Sequence, residues 1–130
     1  MSSTISRTLF AASAAVFALG GVMHAVAYEM SASGRITKSN LPSFVVSELK
    51  VLWLADTTTL MALSLLFGFL AVWPAAMTKP AVMLVAGIPA GTTFLLYLFL
   101  GPFYAAHLLL SACAMTLAGA LLMPARREGH

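Results

Sequence analysis

Hydrophobic residues fall along this chain in four long runs, and the polar and charged residues crowd into the gaps between them and into the two ends. The first run, Thr8 to Tyr28, reads TLFAASAAVFALGGVMHAVAY and follows a short polar start that contains Arg7. The second covers Leu49 to Trp73, the third Ala81 to Leu100 and the fourth Tyr104 to Met123; Pro74, Gly101-Pro102 and Pro124 punctuate their ends. Apolar stretches of ~20 residues are what a helix rising 1.5 Å per residue needs to cross the hydrocarbon core of a bilayer. The pattern therefore predicts an all-α fold, an integral membrane four-helix bundle forming a single transmembrane domain over residues 1–130. The last two connections are short, which forces antiparallel neighbours and an up-down-up-down order.

The first connection, Glu29 to Glu48, is longer. Its front half, SASGRITKSN, is polar and reads as flexible, whereas LPSFVVSEL is apolar enough to lie at the interface or to start a short amphipathic helix between spans 1 and 2. The first run also carries signal-peptide features: a basic start, an apolar middle and the small residues Ala25-Val26-Ala27. Its Ser, Gly and His residues favour a retained, packed helix. In the third run Gly87, Pro89 and Gly91 predict a kink, tolerable where neighbouring helices satisfy the freed backbone groups. Ser111, Ala114, Ala118 and Gly119 recur along the fourth run and predict close helix contact there.

Composition sharpens this picture. The chain is 61% hydrophobic and 8% charged, whereas roughly a quarter of the residues of a soluble domain are charged. Seven Lys and Arg against four Asp and Glu give a net charge of +3, but the basic residues stand singly, so nucleic acid is not an expected partner. The lone Cys113 cannot form an intramolecular disulfide, and chemistry that needs two sulfurs is excluded with it. Arg7, Lys79, Arg126 and Arg127 fall on one side of the four runs and Arg35, Lys38 and Lys50 on the other. This slight excess predicts cytoplasmic termini in an inner membrane.

The chemistry lies in a few polar residues set within the runs. At ~1.5 Å per residue, His24 falls roughly 6 Å inside the outer end of the first helix, and Asp56 and His107 each roughly 9 Å inside the second and fourth. Thr92, Thr93 and Tyr97 occupy the outer half of the third, while Leu65 to Val72, Ala81 to Val85 and Leu117 to Met123 contain no ionisable side chain. An ionisable group at bilayer depth costs ~2.5 to 3.5 kcal/mol on insertion scales and marks a site facing the bundle interior or a water-filled cavity. A polar pocket in the outer half is therefore predicted, lined by His24, Asp56, Thr93, Tyr97, His107 and Trp53, with Glu29, Glu48 and Lys50 at its rim. Helical phase places Gly20, His24 and Tyr28 on one stripe, Tyr104, His107 and Ser111 on another, and Asp56 on a face with Trp53 and Leu60. Thr57, Thr58 and Thr59 are expected to hydrogen-bond back to their own helix.

A small lipophilic molecule is the ligand such a pocket suits. Burial moves carboxylates and imidazoles toward titration near neutral pH, so Asp56, His24 and His107 are candidates for acid-base catalysis of the isomerase, cyclase or hydratase kind. Two other functions draw on the same residues. His24 and His107, as a facing pair, could ligate haem or a divalent metal. Alternatively the chain serves as a non-catalytic accessory subunit, or as a proton- or ion-coupled carrier working as a homo-oligomer with Asp56 as its coupling site. In length and span count the chain is similar to small multidrug carriers and fluoride channels. It lacks the carriers' glutamate in the first span and the channels' Asn- and Phe-based filter, so no residue role carries over.

Overall fold

The structure is a computed structural model that describes residues 2–123. Helix α1 (Ser2–Ala27) runs through a π turn (Tyr28–Ala32) into the short α2 (Ser33–Thr37). After a five-residue link come α3 (Ser43–Val72), a 3₁₀ turn (Pro74–Ala76), α4 (Lys79–Leu100) and α5 (Tyr104–Leu121). Four stretches are long and apolar enough to cross a membrane: Thr4–Thr37, Ser43–Val72, Lys79–Leu100 and Tyr104–Leu121. Pro124, Arg126 and Arg127, which entered the end and orientation arguments, lie outside the described residues.

The first connection differs from the flexible segment expected. SASGRITKSN is helical as far as Thr37, because the π turn keeps the backbone bonded and hands on directly to α2: the Ser33 N–H reaches the Tyr28 carbonyl, and the Thr37 hydroxyl donates to Ser33 O at 2.7 Å. LPSFVVSEL forms no separate interfacial helix. Pro42 holds the extended conformation (φ −54°, ψ 144°) that precedes a helix, and α3 begins at Ser43. No Gly or Pro occurs between Pro42 and Gly68, so nothing breaks the helix where hydropathy changes.

Other ends follow from local chemistry. The Thr78 hydroxyl caps α4 by accepting from the Ala81 N–H at 3.4 Å, with a proline in the first turn where its missing N–H is harmless. Gly101 takes φ +73° at the turn into α5, a conformation that favours glycine. The helix α4 continues through Pro89, which is buried.

α1 is the central element. It packs against α3 and against α5, and α4 packs against α5, whereas α3 and α4, although consecutive, hardly touch. Phe10 and Phe17 of α1 stack on Phe67 of α3, at centroid distances of 6.1 and 5.7 Å, and Leu63, Leu70, Val82, Leu109, Ala112 and Ala120 complete the core. Close approach depends on missing side chains: a Cβ at Gly119 would meet the Phe10 ring at 3.0 Å, and one at Gly21 would meet Met61 Sδ at 2.8 Å. The small residues of α5 that serve the contact are not all those expected. Gly119 is buried with Ala112, Thr116 and Ala120, but Ser111 and Ala114 are exposed, since a shift of one residue turns a side chain by ~100° about the helix axis.

Hydroxyls and cations tie the helices together. Ser6 donates to Gly119 O at 2.7 Å, Ser13 to Ala112 O at 3.0 Å and Ser64 to Ala14 O at 2.9 Å; Ser13 and Thr116 share a 2.6 Å bond. Arg7 Nε donates to Ala71 O at 2.8 Å and Lys79 Nζ to Leu121 O at 3.0 Å. Each cation thereby satisfies a carbonyl in the last turn of a neighbouring helix, where the helix dipole favours positive charge.

Candidate functional site

Because α3 and α4 do not pack on each other, a cavity of about 380 Å³ remains between them, walled by all four long helices. On α1 its wall is Val16, Phe17, Gly20, Met23, His24 and Ala27; on α3 it is Trp53, Asp56, Thr59, Leu60 and Leu63. α4 contributes Ile88, Pro89, Thr92, Leu96 and Leu100, and the start of α5 with its preceding turn supplies Phe103, Tyr104, Ala105, Leu108 and Leu109. Most of the wall is apolar, as in most small-molecule sites, with few polar groups.

These polar groups are held firmly. The His24 imidazole stacks on the Trp53 indole with centroids 4.6 Å apart, and the Tyr28 ring packs against the same indole, tilted, at 6.2 Å. Trp53 Nε1 donates to His24 O at 3.0 Å, locking α1 to α3 at this level. His24 Nδ1 lies 3.0 Å from the Thr57 hydroxyl, which is also 3.3 Å from Trp53 O, so Thr57 joins the imidazole of α1 to the backbone of α3.

Asp56 is on the cavity wall and exposed. Thr57, Thr58 and Thr59 bond to carbonyls of their own helix: Thr57 to Trp53 O, Thr58 to Leu54 O and Ala55 O, and Thr59 to Ala55 O. Thr92 does the same with Ile88 O at 3.1 Å.

The structure brings together His24, Asp56 and Trp53 and leaves the remaining candidates elsewhere. His107 is exposed on α5 and shares a 2.6 Å hydrogen bond with the Tyr97 hydroxyl of α4, away from the cavity lining. One residue is ~100° of rotation, so the cavity face of α5 passes through Tyr104, Ala105 and Leu108 and turns His107 outward. Thr93 is buried and its hydroxyl donates to Pro89 O at 2.7 Å. Glu29 is exposed on the π turn, Lys50 is half-buried on α3, and Glu48 lies among Phe44, Ser47, Val51 and Leu52 on an outer face of α3. None of these four lines the cavity.

His24 and His107 accordingly do not form the facing pair that a haem or metal site requires: each is bonded to a different helix partner, and only His24 is on the cavity wall. Among the described residues no three His, Cys, Asp or Glu side chains cluster closely enough to hold a metal ion. Thr59, Thr92, Tyr104 and Phe103 are wall residues that the sequence pattern had not singled out as ligand contacts. The signal for Thr59 and Thr92 was helical phase, since each shares a face with a neighbouring wall residue three or four positions away. Compared with known protein families, with curated proteins and with solved structures, the chain matches none.

Proposed function

We propose that this is an integral membrane protein that binds a small lipophilic molecule in the cavity between α3 and α4, with Asp56 and His24 as the groups able to exchange protons with it. The observation that carries this is the composition of the wall: a largely apolar enclosure of about 380 Å³ with a carboxylate and a stacked, hydrogen-bonded imidazole on one side. Such a pairing of an acid and a base in apolar surroundings suits proton transfer, as an isomerase, cyclase or hydratase would use it.

In this proposal the helices cross an inner membrane in up-down-up-down order with both termini cytoplasmic. Its support is the pairing of Arg7 with Ala71, Ser6 with Gly119 and Lys79 with Leu121 at one end of the bundle, and of His24 with Thr57 and Tyr97 with His107 towards the other.

Native mass spectrometry of the detergent-purified protein tests the ligand. A retained small molecule, lost in Thr92→Phe, which fills the cavity, and weakened in Asp56→Asn and His24→Ala, is the expected result. Retention unchanged by all three substitutions would place the molecule outside the cavity and defeat the proposal. Topology is tested in whole cells with Cys113→Ala as background: Asn40→Cys should react with an impermeant maleimide and Ala76→Cys should not, and the reverse pattern would invert the orientation.

A further inference from the structure

The hydrogen-bonding character of the cavity wall narrows the ligand beyond its lipophilicity. This inference rests on the proposal that the cavity binds a small lipophilic molecule, and it concerns which polar head that molecule carries. Most polar hydrogens on or beside the wall are already directed at backbone carbonyls. The Trp53 indole N–H goes to His24 O, the Thr59 hydroxyl to Ala55 O and the Thr92 hydroxyl to Ile88 O. His24 Nδ1 is engaged by the Thr57 hydroxyl. The wall keeps acceptors: the carboxylate oxygens of Asp56, which no donor among the described residues engages, and the lone pairs left on the two threonines. The Tyr104 hydroxyl is an uncommitted wall donor, and among the described residues no Lys or Arg is on the wall.

A site that is acceptor-rich, donor-poor and carries one negative charge selects its complement. A carboxylate on an otherwise apolar wall attracts an opposite charge, and bringing a charged head beside it is favourable only when the two are opposite and hydrogen-bonded. An alcohol offers one hydrogen and no charge. A carboxylate offers neither and is repelled by Asp56. A primary ammonium offers three hydrogens and a positive charge, enough to pair with the Asp56 carboxylate and still meet a threonine lone pair on the wall.

We infer that the cavity selects a lipophilic primary amine, an apolar chain ending in an ammonium group seated on Asp56. The seam between α3 and α4, left open by their lack of contact, admits the chain from the flank of the bundle.

The test compares four twelve-carbon probes on the full-length protein in one detergent: dodecylammonium, dodecyltrimethylammonium, dodecanol and dodecanoate. Trp53 fluorescence, read in a Trp73→Phe background, reports occupancy, and the cavity-filling Thr92→Phe measured in the same micelles corrects for partitioning. Dodecylammonium is expected to bind at least about tenfold tighter than each of the other three, a margin of roughly 1.4 kcal/mol. Asp56→Asn should remove the preference over dodecanol. Equal or tighter binding of dodecanol or dodecanoate overturns the amine assignment while leaving the cavity as a ligand site. Parity of the trimethylated probe also overturns it, because charge alone would then suffice. Failure of all four to change the fluorescence defeats both the amine assignment and the ligand site beneath it. The ranking on the Trp73→Phe protein stands even if Asp56→Asn does not fold.

Discussion

Trp53 and His24 hold each other by two different forces: their rings stack at 4.6 Å, and the indole N–H donates to the His24 carbonyl at 3.0 Å. The stack aligns the imidazole along the cavity wall, while the hydrogen bond fixes the height at which α1 meets α3. Trp53→Phe keeps the ring stack and removes the donor, so it should lower stability by ~1 kcal/mol. Trp53→Ala loses both and should lower it by ~2–3 kcal/mol, less than for a fully buried tryptophan. Thermal unfolding in detergent, followed by helical circular dichroism, checks the order; equal losses would mean that the stack contributes nothing.

Ser13 and Thr116 form the buried hydroxyl bridge between α1 and α5, at 2.6 Å. Ser13→Ala and Thr116→Val should each cost about 0.5–1.5 kcal/mol, in the range measured for interhelical hydrogen bonds in membranes. Because the partners touch, the double variant should cost less than the sum of the single ones, with a coupling of at least ~0.5 kcal/mol. Strict additivity in such a cycle would assign each hydroxyl to its own bond with Ala112 O and none to the bridge.

Gly119 and Gly87 are predicted to respond oppositely to added bulk. At Gly119 a Cβ would press on the Phe10 ring at 3.0 Å, whereas nothing lies within 4 Å of a Cβ at Gly87. Gly119→Val should therefore cost about 1–3 kcal/mol through overpacking. Gly87→Ala should be neutral or stabilising by up to ~1 kcal/mol, as the helix interior no longer holds a glycine. Paired melting curves decide this, and a Gly119→Val protein as stable as the parent would show that α1 and α5 do not approach as closely as described.

Tyr97 and His107 should be separable from the ligand site. Their 2.6 Å bond joins α4 to α5 outside the cavity, so Tyr97→Phe and His107→Ala should cost ~1 kcal/mol or less in stability and leave ligand retention unchanged. Native mass spectra of both variants beside Asp56→Asn make the comparison. Loss of ligand in His107→Ala at parental stability would extend the site across α5.

The four helical stretches were legible in the sequence because each is a property of composition over ~20 residues: apolar runs closed by Pro or Gly need only local chemistry to define them. Asp56, His24 and Trp53 were legible as neighbours for a similar reason, since depth along an axis and phase around it both follow from residue number. Tertiary packing decided what lies on the other side of each helix. Tyr97 and His107 have the right depth, but the rotation of α4 and α5 that packs Ala86 and Ala112 inward turns them out to pair with each other. The fusion of α1 to α2 and the early start of α3 depend on hydrogen bonds that hydropathy does not register. The cavity is the least local feature. It exists because α1, not α4, is the neighbour of α3, and which helices share a face is determined by the fit of Phe10, Phe17, Phe67 and Gly119 across the bundle, a pairwise steric relation that no single run of residues contains.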